Sequence, residues 1–128
     1  MPLWDDYKAE AKARGALAFE LYMVLSAPRG DPTKLKETLP DHLAYQAQLE
    51  EQGSLFLAGP VSDEAGAEME GMGLIIYRAA SMDEARELAE ADPMHVRGAR
   101  SYTLRRWLVN EGSLSLSVRF AGQTAAMT

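Results

Sequence analysis

Two short runs constrain this chain most: Leu17 to Leu25 and Met72 to Ala80. In the first, Phe19, Leu21, Met23 and Leu25 share one face of a strand period, and Ala18, Glu20, Tyr22 and Val24 share the other. The second centres on Leu74-Ile75-Ile76-Tyr77. Short runs that are apolar on both faces fit central strands covered from both sides. Glu20 is the odd member; it fits either a solvated strand end or a polar site inside the sheet.

The rest of the chain supplies partners for these strands. Trp4, Tyr7, Ala11 and Arg14 recur at helical spacing, predicting a helix over 4–14 that closes at Gly15. Ala27 to Pro32 has the chemistry of a loop. A second helix is expected from Leu39 to Gln52, capped by Thr33 or Thr38 and stopped by Gly53, because Pro40 is tolerated only in a first turn. Leu35, Leu39, Leu43 and Leu49 would form its buried stripe. Leu55 to Val61 reads as a strand ended by Gly59-Pro60, joined to the Met72 run by an acidic surface connection. Ser81-Met82-Asp83-Glu84 is a capping box, with Glu84 reaching back to the Ser81 N–H. The helix it opens, with Ala85, Leu88 and Ala89 inward, stops before Asp92-Pro93, and Tyr102 to Val109 is a fourth strand.

The order β-α-β-β-α-β specifies an α+β chain with a ferredoxin-like antiparallel sheet and both helices on one face. One domain spans 1–128, with its core over about 17–109, an extra helix before it and an extra strand after it. In that strand Leu114, Leu116, Val118 and Phe120 alternate with Ser113, Ser115, Ser117 and Arg119. It would fold back on the fourth strand or cross to a partner's sheet, with a dimer-stabilising role favoured; the tail Gly122 to Thr128 has little to bury and is expected to be mobile. Helices on one face leave the other face of the two-sided strands uncovered, and a second subunit's sheet is the economical cover.

Composition excludes several functions. A net charge of −6 and a pI near 4.9 argue against nucleic acid as the partner. With no cysteine there is no thiolate chemistry, disulfide or Cys-type zinc site. No apolar run spans a bilayer and the amino terminus lacks a secretion signal, so a cytoplasmic protein without membrane contact is expected. Glu70-Gly71-Met72-Gly73 lacks the Lys-Ser/Thr of a phosphate loop, and serine nucleophile motifs are absent.

His42 and Asp92 carry the remaining chemical signal. A histidine near a helix amino terminus meets the positive end of the macrodipole, which disfavours imidazolium and keeps a neutral base. The plainer reading is a partly buried histidine bonded to backbone or facing solvent. Asp92, at a helix carboxy terminus, faces the negative end of the dipole, and Pro93 forces it out of helical geometry. It fits an aimed carboxylate or an ordinary Asp-Pro stop. His95 could join them in a metal site, but an exposed loop position suits it better, and no metal or other cofactor is assigned. Tyr22, Tyr45 and Tyr77 are candidates for a pocket wall, Gly59 and Pro60 for its rim. Arg29, Arg97 or Arg100 could anchor a carboxylate, with Arg97 preferred, although each also fits a solvated surface charge.

Asp41-His42-Leu43-Ala44-Tyr45, Gly53 to Pro60, Ser81-Met82-Asp83-Glu84-Ala85 and Ala91-Asp92-Pro93-Met94 occur in the order and spacing of the YciI-like (YCII-related) proteins. Residues 17–109 resemble that family. The resemblance implies a ferredoxin-like subunit pairing into a dimeric α+β barrel. It also implies a histidine–aspartate active site, here His42 and Asp92, in which Asp92 accepts a hydrogen bond from His42 and fixes its tautomer. Muconolactone isomerase has a related barrel, and a chloromuconolactone dehalogenase is similar to the family. The chain departs from the pattern at Met94, where an aromatic residue usually follows Asp-Pro. Two functions fit: a cofactor-independent acid–base enzyme of lyase, isomerase or dehalogenase type acting on a small anionic or lactone-like molecule, or a non-catalytic homodimer binding a metabolite or protein. Assembly beyond the dimer is open.

Overall fold

The computed structural model describes residues 1–128. Its elements are α1 (Trp4–Ala13), β1 (Phe19–Pro28), α2 (Pro32–Gln52), β2 (Leu55–Ser62) and β3 (Met69–Tyr77). They continue with α3 (Met82–Glu90), α4 (Pro93–Val96), β4 (Arg100–Val109), β5 (Leu116–Arg119) and β6 (Thr124–Met127). The chain divides into two compact units, Glu20–Trp107 and Met1–Phe19 with Leu108–Thr128.

The larger unit is the ferredoxin-like α+β fold that the element order specifies. Its four-stranded sheet runs β2-β3-β1-β4, and β3 pairs antiparallel with both β1 and β2. Register sets the contents of each face. Leu55, Tyr77 and Tyr22 form one row across β2, β3 and β1; Ala58, Ile75 and Val24 form the next; Pro60, Gly73 and Ser26 form the last. Alternation puts these three rows on one face. Tyr22, Val24, Ile75 and Tyr77 make the core there with Leu49 of α2 and Ala85 and Ala89 of α3. Side-chain volume falls along the face from tyrosine to serine, glycine and proline. The far row therefore cannot fill the space beneath α2, and a cleft opens there.

The strands differ from expectation mainly at their ends. Ala18 adopts a positive φ of 50°, so β1 starts at Phe19 rather than Leu17 and runs on to Pro28. Gly59-Pro60 does not end β2. The strand continues to Ser62, with Pro60 opposite Gly73 and irregular register on either side. Pro60 is tolerated because β2 is an edge strand, where one missing N–H costs no ladder bond. Glu20 is neither a solvated end nor an isolated polar site, since its carboxylate lies 3.5 Å from Arg106 of β4.

Helix α2 corrects the expected boundary most. It begins at Pro32, with Asp31 as the cap accepting from the Thr33 N–H at 2.9 Å, and neither Thr33 nor Thr38 caps it. Asp31-Pro32 is an N-cap followed by proline at the first helical position, where the absent N–H is harmless. Pro40 then lies inside the helix. Gly53 at φ 82° closes it as expected, because only glycine takes the left-handed cap without strain. The inward stripe is Thr38, His42, Tyr45 and Leu49. Leu39 and Leu43, expected in the core, are 45% and 54% exposed. Their place on the helix is beside the cleft instead.

Helix α3 has the expected cap: Ser81 Oγ accepts from the Glu84 N–H at 3.1 Å, and the Glu84 carboxylate accepts from the Ala80 N–H rather than that of Ser81. Past its end comes a helix absent from the sequence reading, α4, capped by Asp92 with Pro93 in its first turn. Asp92-Pro93 thus repeats the local grammar of Asp31-Pro32.

In the smaller unit, the Leu17 N–H donates to the Asn110 carbonyl at 3.0 Å, tying its two segments together. β5 pairs antiparallel with β6, Leu116 opposite Met127, in a separate two-stranded sheet. The tail therefore supplies the partner of the extra strand, which was expected to pair with β4 or with another subunit.

Candidate active site

The cleft under α2 has a volume of about 410 Å³. His42, Leu39, Leu43 and Gln46 of α2 form one wall, the Pro60–Gly73–Ser26 row the floor, and Met94 of α4 and Arg100 of β4 an end. A cleft this size with mostly apolar walls suits a small organic molecule. Gly71, at φ 87°, also lines it; a Cβ there would come within 2.6 Å of Pro28 Cγ, so this close approach and backbone conformation suit glycine.

His42 and Asp92 meet at this cleft. His42 Nδ1 lies 2.9 Å from each carboxylate oxygen of Asp92, and the side chains are 14% and 1% exposed. Asp92 Oδ1 also accepts the Met94 N–H at 2.9 Å. A carboxylate receiving two N–H groups is an acceptor on both sides, which assigns the imidazole proton to Nδ1. Nε2 keeps its lone pair, and no protein group bonds it. His42 lies in the middle of α2, so the macrodipole expected to act on it is absent. Its partner Asp92, at the start of α4, controls it instead.

The negative charge of Asp92 is felt around the core. Burial pushes the Tyr77 hydroxyl far above its ordinary range and raises Tyr45, and the Asp92 charge adds to both. Arg100 is lowered by burial, with Asp92 acting in the opposite direction.

Tyr22 and Tyr77 are buried in the core, and Tyr45 donates to the Leu88 carbonyl at 2.7 Å; none of the three lines the cleft. Gly59 and Pro60 line it. Arg97 does not: its guanidinium sits 2.6 Å from Asp41 in an exposed pair. Arg100 does, donating from Nη1 to the Ser26 carbonyl at 3.0 Å, which leaves the rest of its guanidinium for a ligand anion. His95 is not an exposed loop residue. Its Nδ1 lies 2.7 Å from the Ala89 carbonyl, its Nε2 2.9 Å from Ser26 Oγ, and its ring 4.5 Å from that of Tyr102. Ser26 was missed by the sequence reading, although alternation along β1 places it on the same face as Tyr22 and Val24, where a polar residue needs a reason.

No helix is long and apolar enough to cross a membrane. The chain is 29% identical over 72 residues to the uncharacterized protein YjpA of Bacillus subtilis (strain 168), covering 56% of this chain and 78% of that one. Among solved structures it resembles 5-chloro-2-hydroxyhydroquinone dehydrochlorinase (TftG) from Burkholderia phenoliruptrix AC1100, in complex with 2,5-dihydroxybenzoquinone. That match has a TM-score of 0.54 and 24% identity, over 68% of this chain and 92% of the other, a likeness of fold. Residues 21–108 match the YCII-related domain, and the chain belongs to that family.

Proposed function

We propose that this protein is a cofactor-independent acid–base enzyme of elimination or isomerisation type, acting on a small anionic or lactone-like molecule. The observation that carries the reading is the His42–Asp92 pair at the wall of a small, mostly apolar cleft. His42 Nε2 removes a proton from a substrate carbon. Asp92 holds the opposite nitrogen and compensates the imidazolium that forms, so the same nitrogen can return the proton elsewhere on the substrate. Arg100 pairs with the substrate anion; it is one of the three arginines the sequence offered for that role, of which Arg97 was preferred. Gly59 and Pro60 shape the floor, and the three tyrosines support the site from the core. A dehydrochlorination, as in the name of the structural neighbour, is a proton abstraction with loss of chloride, and it falls within this class.

The working unit in this reading is a homodimer in the cytoplasm. On the sheet face away from the core Leu21 and Ile76 are already buried, whereas Leu57 and Trp107 are exposed and form the apolar patch that a second sheet would cover.

The test is a screen of small lactones and chlorinated hydroxyquinols for turnover, repeated with His42→Ala and Asp92→Asn. Turnover lost in both variants, with each still folded and unfolding cooperatively at the assay temperature, supports the reading. Ligand binding without turnover, insensitive to both substitutions, makes the protein a binding dimer.

A further inference from the structure

A second pair of proton-carrying groups meets the same cleft and has no part in the His42 chemistry. Ser26 is 2% exposed, and its Oγ lies 2.9 Å from His95 Nε2. The other ring nitrogen of His95 faces the Ala89 carbonyl at 2.7 Å. A carbonyl only accepts, so Nδ1 carries the proton and, in the neutral ring, Nε2 is the acceptor. The Ser26 hydroxyl therefore donates to His95, and both of its lone pairs are left for another donor. Across the sheet Ser26 stands opposite Gly73, which has no side chain to cover it, and Ser26 lines the cleft.

We propose that Ser26 and His95 form a relay that binds the hydroxyl of a phenol- or enol-type substrate and takes up its proton. The inference rests on the cleft being the substrate site, as proposed above, but not on the role given to His42. The substrate O–H donates to Ser26 Oγ while the Ser26 proton moves to His95 Nε2. The products are a substrate oxyanion, a serine hydroxyl that now donates to it, and an imidazolium. Nothing is oxidised and no group is lost.

The surroundings accommodate each product. The imidazolium lies against the last turn of α3, the negative end of that helix, through its bond to the Ala89 carbonyl. The Tyr102 ring packs on it, and the Tyr102 hydroxyl is bound to Glu90. Asp92, whose main-chain carbonyl accepts the main-chain N–H of His95, has its carboxylate occupied by His42 and Met94, and it does not compete for the His95 ring. The oxyanion faces Arg100, whose Nη1 is anchored on the Ser26 carbonyl. An enol or phenol so deprotonated carries the electron density that drives loss of a leaving group or return of a proton at carbon. His42 and the relay would then serve two different protons of one substrate.

The probe is 4-nitrophenol, whose anion absorbs visibly, titrated into the intact protein across pH. In the wild type the bound probe should hold about tenfold more phenolate than free probe at the same pH, a fall of about one unit in its apparent pKa. Ser26→Ala and His95→Gln should abolish this shift, Ser26→Thr should retain it, and His42→Ala should leave it intact. The ether 4-nitroanisole, which has no proton to give, should bind wild type and Ser26→Ala equally. The proposal is overturned if 4-nitrophenol does not bind the wild type at millimolar concentration, or binds without the shift. It is also overturned if the shift survives Ser26→Ala or His95→Gln in protein with an unchanged melting temperature. A shift lost only in His42→Ala assigns the proton to His42, which sinks the relay while leaving the acid–base reading standing.

Discussion

Replacing Asp92 by asparagine separates its two duties, capping α4 and holding His42. The carboxylate is wholly buried and takes the Met94 N–H and the His42 ring N–H, each at 2.9 Å. Asparagine caps helices as well as aspartate, so the bond to Met94, worth about 1 kcal/mol, is kept. The charge-assisted bond to His42, worth about 1.5–3 kcal/mol, is lost. Part of that loss is recovered when the ring moves its proton to Nε2 and accepts the new amide N–H at Nδ1. Asp92→Asn should therefore cost only about 1–2 kcal/mol, about 4–8 °C in melting temperature for a chain of this size. Asp92→Ala removes the cap as well and leaves the His42 N–H buried and unpaired, for about 3–4 kcal/mol. Thermal and urea unfolding of both variants, with His42→Ala completing a double-mutant cycle, gives these values directly. Catalysis should not follow stability: the reversed tautomer in Asp92→Asn, the milder substitution for the fold, should still lower turnover by about 10⁴-fold, the scale of the matching change in a Ser-His-Asp triad. Equal destabilisation by Asn and Ala, or a His42–Asp92 coupling energy near zero, would refute the division of labour.

Other substitutions test the scaffold. Pro40→Ala restores a backbone N–H inside α2 and should raise stability by about 1–3 kcal/mol, read as a higher urea midpoint; a lower midpoint would show that the helix needs its proline. Ser81→Ala removes the α3 cap and should cost about 1 kcal/mol, mostly recovered in Ser81→Asp. Because the Tyr77 hydroxyl is raised in the folded state, it stays neutral where the unfolded chain ionises, so its stabilising share is complete below about pH 10 and is lost as pH rises further. Tyr77→Phe should flatten this alkaline loss in denaturation curves between about pH 9 and 11; an unchanged slope would mean that another group sets it.

The strand order could be read from the sequence because two runs apolar on both faces admit few placements, and capping and stop signals fix the helices between them. The sequence places the start of α2 too late because proline is tolerated most readily in a first turn, which points to Pro40 rather than Pro32. In the fold Asp31-Pro32 starts the helix, and packing of Thr38, Tyr45 and Leu49 outweighs the cost of an internal proline. That error carried over to the leucine stripe and to the electrostatics of His42. The same grammar at Asp92-Pro93 fits a stop or an aimed carboxylate in the sequence, and it also begins a helix, as asparagine or aspartate before proline can. The meeting of His42 and Asp92 was suggested by family resemblance, since fifty residues separate them and no local pattern links them. Ser26, and the choice of Arg100 over Arg97 among the candidate arginines, needed the register: only the pairing of β1 with β3 puts Ser26 opposite a glycine, and only the sheet order brings β4 beside it.

The most direct test of the account is long-range proton–nitrogen NMR of the His42 imidazole in the wild-type protein. With Asp92 holding Nδ1–H, the account predicts a proton on Nδ1, a bare Nε2, and the reverse tautomer in Asp92→Asn. A wild-type His42 protonated on Nε2, or one whose tautomer ignores Asp92→Asn, would contradict it.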